Sequence, residues 1–296
     1  MTAGVLVLDK PRGITSFDAV QSVGRILKER KCGHAGTLDP MATGVLPVCV
    51  GAATKIAGYL AEEEKEYEAA FTFGVATDTG DATGKPVEER PGAAADESGV
   101  AEALAALVGT FDQVPPAYSA VKVGGVRSYK LARKGMEVPL AARRVTVREA
   151  RLLSMDPGGF RAFLAVSKGF YVRSLPRDLG ARIGVPMTVS ELRRTRVGPF
   201  RIGQAVTLDV LRERARGSDA ASLLLPIVDA LGRLPHWEVP EAAIPQVRNG
   251  RLSGPWLVER VASEAGDLAL LVTSRREPLA IVGRDPAGLW KIVRGI

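Results

Sequence analysis

The sequence predicts an α+β protein: a mixed, largely antiparallel sheet flanked by helices, followed by a small barrel-like β-domain. Three observations predict it. Residues 66–74 alternate, with Tyr67, Ala69, Phe71 and Phe73 on one face of a half-buried strand. Residues 16–30 instead repeat Ala19, Val20, Val23, Ile26 and Leu27 at three- and four-residue steps, as an amphipathic helix does. Between 268 and 294, three short apolar runs recur at ten-residue spacing, separated by Gly and Asp, which reads as a small antiparallel β-unit.

The elements follow in order. Residues 4–8 are an apolar strand ending in the breaker-rich turn Asp9-Lys-Pro-Arg-Gly13. Ser16 is the expected N-cap of the first helix, with Asp18 in its first turn. Residues 33–44 have no consistent period. Residues 45–51 read as a strand, 52–60 as a short helix and 77–85 as a polar loop. A helix is expected over 97–109, with Leu104, Leu107 and Val108 inward and Gly109 as its stop. Pro115-Pro116 opens a basic insertion reaching about residue 144, with one short helix at 128–134. Strands resume at 145–153, 160–167 and 189–196, with a helix near 174–183. Prolines 235, 240, 245 and 255 mark a change of character, so the expected domains are 1–232 and 233–296. No fixed-period repeat is present, which excludes a solenoid.

Composition excludes several classes. At 46% hydrophobic and 25% charged, the 296 residues suit a globular chain whose core needs no staples. Two cysteines make no disulfide framework, and with two histidines they make a zinc site a poor expectation, so no metal is expected. Apolar runs are too short to cross a bilayer, and no basic-then-apolar leader precedes the first strand; a cytoplasmic protein without membrane partners is expected. The net charge of +7 is unevenly spread. Residues 121–151 carry nine basic side chains against two acidic ones, residues 161–201 the same, and the remainder sums to −7. Such segregation points to a phosphate-binding face.

Several motifs fail on inspection. Gly80-Asp-Ala-Thr-Gly-Lys85 is one residue short of a phosphate loop, and Pro86 stands where a magnesium-binding hydroxyl belongs. Ser119-Ala-Val-Lys122 lacks the companion motifs of penicillin-binding enzymes. Glu62-Glu-Glu-Lys-Glu66 reads as a solvated helix end. The loop 33–44 is different: three glycines, two threonine hydroxyls and one carboxylate, Asp39, which Pro40 biases toward an extended backbone. On loop chemistry alone Asp39 is either a turn residue or a catalytic carboxylate.

The string Gly33-His-Ala-Gly-Thr-Leu-Asp-Pro-Met-Ala-Thr-Gly-Val-Leu-Pro47 resembles the signature of the TruB family of pseudouridine synthases, which act on uridine 55 of bacterial tRNA. Gly4-Val-Leu-Val-Leu-Asp-Lys-Pro-Arg-Gly13, Lys65-Glu-Tyr67, Thr77-Asp-Thr79, Pro116-Ala-Tyr-Ser-Ala-Val-Lys122, Ser167-Lys-Gly-Phe-Tyr-Val-Arg173 and Leu192-Arg-Arg194 agree in order, covering about residues 4–200. Ala35, where many members carry Thr, departs mildly.

The resemblance implies a pseudouridine-synthase catalytic domain, a PUA-like RNA-binding domain at 233–296, and the T-arm stem-loop of tRNA as substrate. It implies Asp39 as the catalytic carboxylate and Arg173 as its ion-pair partner. Tyr67 would stack on the target base near C5, and Tyr171 and Leu192, both placed on strands, would line the uracil pocket. His34 would wedge between or stack on displaced bases, and Lys10 would support the catalytic loop. The insertion 115–144 suits a mobile clamp on the RNA arm. No cofactor is required, and a monomer without an obligatory protein partner is expected. The competing reading is a non-catalytic RNA-binding or tRNA-folding module on the same scaffold.

Overall fold

The computed structural model describes residues 3–119, 121–132, 134, 136, 138–257 and 266–296. Its centre is a ten-stranded mixed sheet. From one edge, the order is Leu224–Leu225, Gly4–Lys10, Thr43–Val50, Met187–Val197, Lys65–Phe73, Gly159–Val166, Arg143–Asp156 and Gly109–Gln113. Cys32–His34 adds to Thr43–Val50, and Phe200–Arg201 to Met187–Val197. Every pairing is antiparallel except one, the two-rung contact of Arg193 and Arg194 with Thr43 and Gly44. The two halves of the sheet therefore meet at a short parallel seam. The two backbones come very close there: Gly44 has φ +102°, and a Cβ on it would lie 2.2 Å from the carbonyl oxygen of Arg194.

Both faces of the sheet are covered at Gly4–Lys10 and Thr43–Val50. In Gly4–Lys10, Leu6 and Leu8 enter one apolar cluster while Val5 and Val7 enter another. A strand buried on both sides has no polar face, which is why this segment reads as a continuous apolar run. Lys65–Phe73 does alternate: Tyr67, Phe71 and Phe73 are buried in the same cluster, and Phe160 stacks on Phe71 at 4.7 Å with Phe73 at 5.7 Å. The helices Ser16–Leu27, Glu97–Ala105, Leu175–Ile183 and Leu208–Arg216 each place buried side chains in the first cluster.

Several expectations are corrected. The first helix is capped by Thr15, in a capping box with Asp18, and Ser16 is its first helical residue. The third helix ends at Ala105, so Val108 lies beyond the last turn and is exposed rather than inward. The insertion contains a two-rung hairpin, Lys122–Val123 with Val126–Arg127, ahead of a helix described over Ser128–Ala132; residues 120, 133, 135 and 137 lie outside the described residues. The C-terminal unit is an open four-stranded sheet among the described residues, not a closed barrel. Its first pair, His236–Glu238 with Leu268–Val272, is parallel. It has its own cluster around Trp237 and Val282. Leu270, Val272 and Ile281, however, pack in the same cluster as Val5, Val7 and Cys49 of the large sheet.

Candidate active site

The site is built at the parallel seam. The ladder between Cys32–His34 and Thr43–Val50 continues one rung further, from Ala35 N–H to Pro47 O at 2.9 Å, and then opens into the loop that carries Asp39. Four groups hold this loop. Ser16, freed from capping, uses its hydroxyl to accept from Leu38 N–H (2.8 Å) and donate to Leu38 O (2.9 Å). Gly13 N–H donates to Pro40 O at 2.8 Å. Lys10, fully buried, donates to Pro11 O, Ile14 O and, at 3.5 Å, Pro40 O. Arg194, also buried, donates to Gly36 O, Thr37 O and Val45 O. Burial pushes the Lys10 ammonium down to about 8, partly countered by the nearby Asp39 charge.

Arg173 faces Asp39 from the 3-10 turn Val172–Ser174 that leads into Leu175–Ile183. Its Nε lies 2.7 Å from Asp39 Oδ2 and its Nη2 3.2 Å from Oδ1, a two-point contact that fixes the carboxylate plane. The same guanidinium donates to Thr79 O and Tyr118 O, and Asp81 Oδ2 lies 3.6 Å from its Nε. The Arg173 side chain is 5% exposed and that of Asp39 35%. The cation is thus buried behind a carboxylate that stays open. Asp81 is buried and bonded by the hydroxyls of Thr79 and Thr83.

Asp39 opens onto a cavity of about 600 Å³, lined also by Tyr67, Tyr171, Arg173, Leu192 and Arg194. Five of the seven expected site residues are therefore brought together. The other two, Lys10 and His34, do not line it; Lys10 lies beneath the loop, and His34 is in Cys32–His34 on the far side of the ladder rung. Burial lowers the His34 imidazole from its ordinary value, with Arg194 and Arg127 acting in the same direction. Tyr171 is not on a strand: it precedes the 3-10 turn, and the buried amide of Gln113 exchanges two hydrogen bonds with its backbone, at 2.8 and 3.2 Å. Burial pushes the Tyr171 phenol up. Among the described residues no cluster of three or more His, Cys, Asp or Glu is arranged to hold a metal.

A single open carboxylate, oriented by a buried arginine, faces a cavity lined by two tyrosines and large enough for a nucleobase, an arrangement compatible with an enzyme that binds nucleosides. Comparison with known proteins agrees. The family description "TruB family pseudouridylate synthase (N terminal domain)" matches residues 24–172, and "tRNA pseudouridylate synthase B C-terminal domain" matches 173–232. The chain is 40% identical to the tRNA pseudouridine synthase B of Bacillus subtilis (strain 168), over 98% of this chain and 96% of that one. It is 47% identical to that of Aromatoleum aromaticum, covering 80% and 76%. Among solved structures, a Cbf5–Nop10–Gar1 complex aligns with TM-score 0.75 and 26% identity, over 100% of this chain and 84% of the matched one. The chain belongs to the TruB family of pseudouridylate synthases, and so to the isomerases.

Sequence reasoning missed Ser16, Asp81, Gln113 and Arg194 as parts of the site. Asp81 and Arg194 adjoin or lie within motifs already singled out, Thr77-Asp-Thr79 and Leu192-Arg-Arg194, so a signal existed without a role attached. Gln113 carries none.

Proposed function

We propose that the chain isomerises uridine 55 in the T-arm of tRNA to pseudouridine, acting on bare tRNA without a guide RNA or protein partner. The carrying observation is the two-point Asp39–Arg173 pair with its carboxylate open to a cavity walled by Tyr67, Tyr171 and Leu192. The names of its relatives support tRNA as the substrate.

The reaction breaks N1–C1′, turns the uracil, forms C1′–C5 and transfers the C5 proton away while N1 regains one. A base that never leaves the site needs no activated water, so one carboxylate suffices where a glycoside hydrolase uses two. Asp39 acts ionised, either on C1′ directly or on the 2′ proton to give a glycal; Arg173 holds it in line for both. Tyr67 stacks on the turning base and lies near C5. Tyr171 and Leu192 close the pocket around the uracil. The target uridine must be flipped out of the folded arm, a cost of a few kcal/mol offset by stacking and phosphate contacts. His34 serves as a wedge or stacking group for displaced bases, Lys10 supports the loop, and the insertion 115–144 clamps the arm. The small sheet within 233–296 is read as a PUA-like RNA-binding domain following a catalytic domain at 1–232. The protein works as a cytoplasmic monomer.

The test is pseudouridine formation on an unmodified tRNA transcript with the purified chain alone. Conversion at position 55 that vanishes in Asp39→Asn supports the reading. RNA binding without conversion by the wild-type chain would leave an RNA-folding module.

A further inference from the structure

We infer that Arg194 is a positioning residue for the reaction: its guanidinium is the rung that closes the neck of the Asp39 loop. The ladder between Cys32–His34 and Thr43–Val50 stops at Ala35–Pro47. Beyond it the only backbone bond across the loop among the described residues is the turn at its tip, from Ala42 N–H to Asp39 O at 3.1 Å, so no backbone bond joins 36–38 to 43–46. Arg194 takes that place, with Nη2 3.0 Å from Gly36 O and Nη1 3.3 Å from Thr37 O on one side, and Nε 2.8 Å from Val45 O on the other. Its own backbone pairs with Gly44, so one residue ties the downstream side twice and the upstream side twice. Asp39 lies between the two tied ends.

Arg194 is 1% exposed, and no carboxylate among the described residues makes an ion pair with it. A guanidinium cannot shed its proton to escape burial, and burying one without a counter-charge is costly unless its donors are satisfied. Here each of its three nitrogens donates to a carbonyl at the loop neck, and the planar fork lets a single side chain span it. A lysine has the charge without the span. Arg173 grips the Asp39 carboxylate, Ser16 and Lys10 hold the tip, and Arg194 fixes where the tip stands relative to the cavity. Misplacing a reacting group by about 1 Å is enough to cost about 10²-fold in rate.

The inference rests on Asp39 being the reacting carboxylate, so the wild-type chain is assayed first on bare tRNA transcript; an inactive wild type removes both readings. With an active wild type, Arg194→Lys and Arg194→Met are compared for single-turnover rate at saturating enzyme, RNA affinity, melting temperature and amide exchange in residues 36–45. The expected result is a single-turnover loss of about 10²-fold in both, RNA affinity within about threefold of wild type, and faster exchange at Leu38 and Ala42. The Lys variant keeps the buried charge and decides the matter if the Met variant does not fold. A folded Lys variant at wild-type rate overturns the positioning role. So does a rate loss that merely follows melting temperature or RNA affinity, because a scaffold residue gives that pattern.

Discussion

Asp39 and Tyr67 share one cavity and differ in what a single atom is asked to do. In Asp39→Asn the amide keeps the shape but supplies no charged nucleophile or base, so turnover should fall by at least about 10²-fold while RNA affinity stays; comparable turnover by the variant removes Asp39 from the chemistry. Tyr67 is buried among Ala69, Phe71 and Phe73, and Phe in its place preserves that packing. Its hydroxyl, if it takes the C5 proton, is then the one thing lost. Tyr67→Phe is expected to keep melting temperature and RNA affinity and lose rate by orders of magnitude; a fully active Phe variant makes Tyr67 a stacking surface only. Lys65, another cation lining the cavity, is lowered to about 8, first by burial and then by the Arg194 charge. Its proton is held to about 10.5 in the unfolded chain. Between these values the unfolded state binds the extra proton, so this group makes stability rise with pH through that window. Relative to Lys65→Met, the unfolding free energy of the wild type should gain up to about 1.4 kcal/mol per pH unit from pH 8 to 10.5, and a flat difference would contradict it.

At the scale of elements, what could be read from the sequence depends on how far apart the deciding contacts lie along the chain. Gly4–Lys10 and Lys65–Phe73 declare themselves through burial on two faces or on one, and Ser16–Leu27 through its three-and-four spacing, because those patterns are local. Asp39 is ambiguous as a lone turn residue and legible only together with its sequence neighbours as a motif. The contacts that make the turn a site were illegible: Gln113 meets Tyr171 across 58 residues and Arg194 meets Val45 across 149. Ser16 reads as a cap in sequence for the same reason, since its actual partner Leu38 is 22 residues away. The seam itself predicts a variant. Gly44→Ala places a Cβ 2.2 Å from Arg194 O at φ +102°, so the parallel pairing must part. A loss of roughly 1–3 kcal/mol in stability is expected from the strained backbone, with a larger loss of turnover because the loop neck opens. The basic strand Arg143–Asp156 predicts another. Arg143, Arg144, Arg148 and Arg151 are exposed along it, and the pairs that Arg144, Arg148 and Arg151 make are with solvent-exposed carboxylates, worth little in competition with phosphate. Arg143→Ala with Arg144→Ala should weaken RNA binding and lower the magnitude of the log-affinity salt slope by about one to two, leaving the rate on bound RNA near wild type. An unchanged slope would turn this face away from the substrate.

Across the whole molecule, the small C-terminal sheet is tied to the large one by a common interior. Proline-punctuated sequence at 235–255 suggests an appended unit, and the sheet indeed has its own cluster around Trp237, whose ring lies 4.6 Å from that of Trp290. Its opposite face, however, sends Leu270, Val272 and Ile281 against Val5, Val7 and Cys49. The first strand of the chain thus contributes Leu6 and Leu8 to the cluster facing the helices and Val5 and Val7 to the cluster shared with the last strands. Each fully buried Val, Leu or Ile contributes roughly 1.5–3 kcal/mol, and a domain's whole margin is only about 5–15 kcal/mol. Ending the chain after Gly232 would therefore reach beyond the small sheet itself. It would strip cover from the back of Gly4–Lys10 and Thr43–Val50, the two strands from which the Lys10 support and the Asp39 loop arise. Residues 1–232 alone are expected to melt well below the full chain, to bind a hydrophobic dye and to lose turnover even on a minimal T-arm stem-loop that makes no contact with the missing part. A milder variant separates the two effects: Ile281→Ala opens the shared cluster while leaving the outer surface of the small sheet intact, and should lower the melting temperature without changing the salt dependence of RNA binding. Equal melting temperatures for the full and shortened chains, with equal turnover on the stem-loop, would make the small sheet a separable attachment.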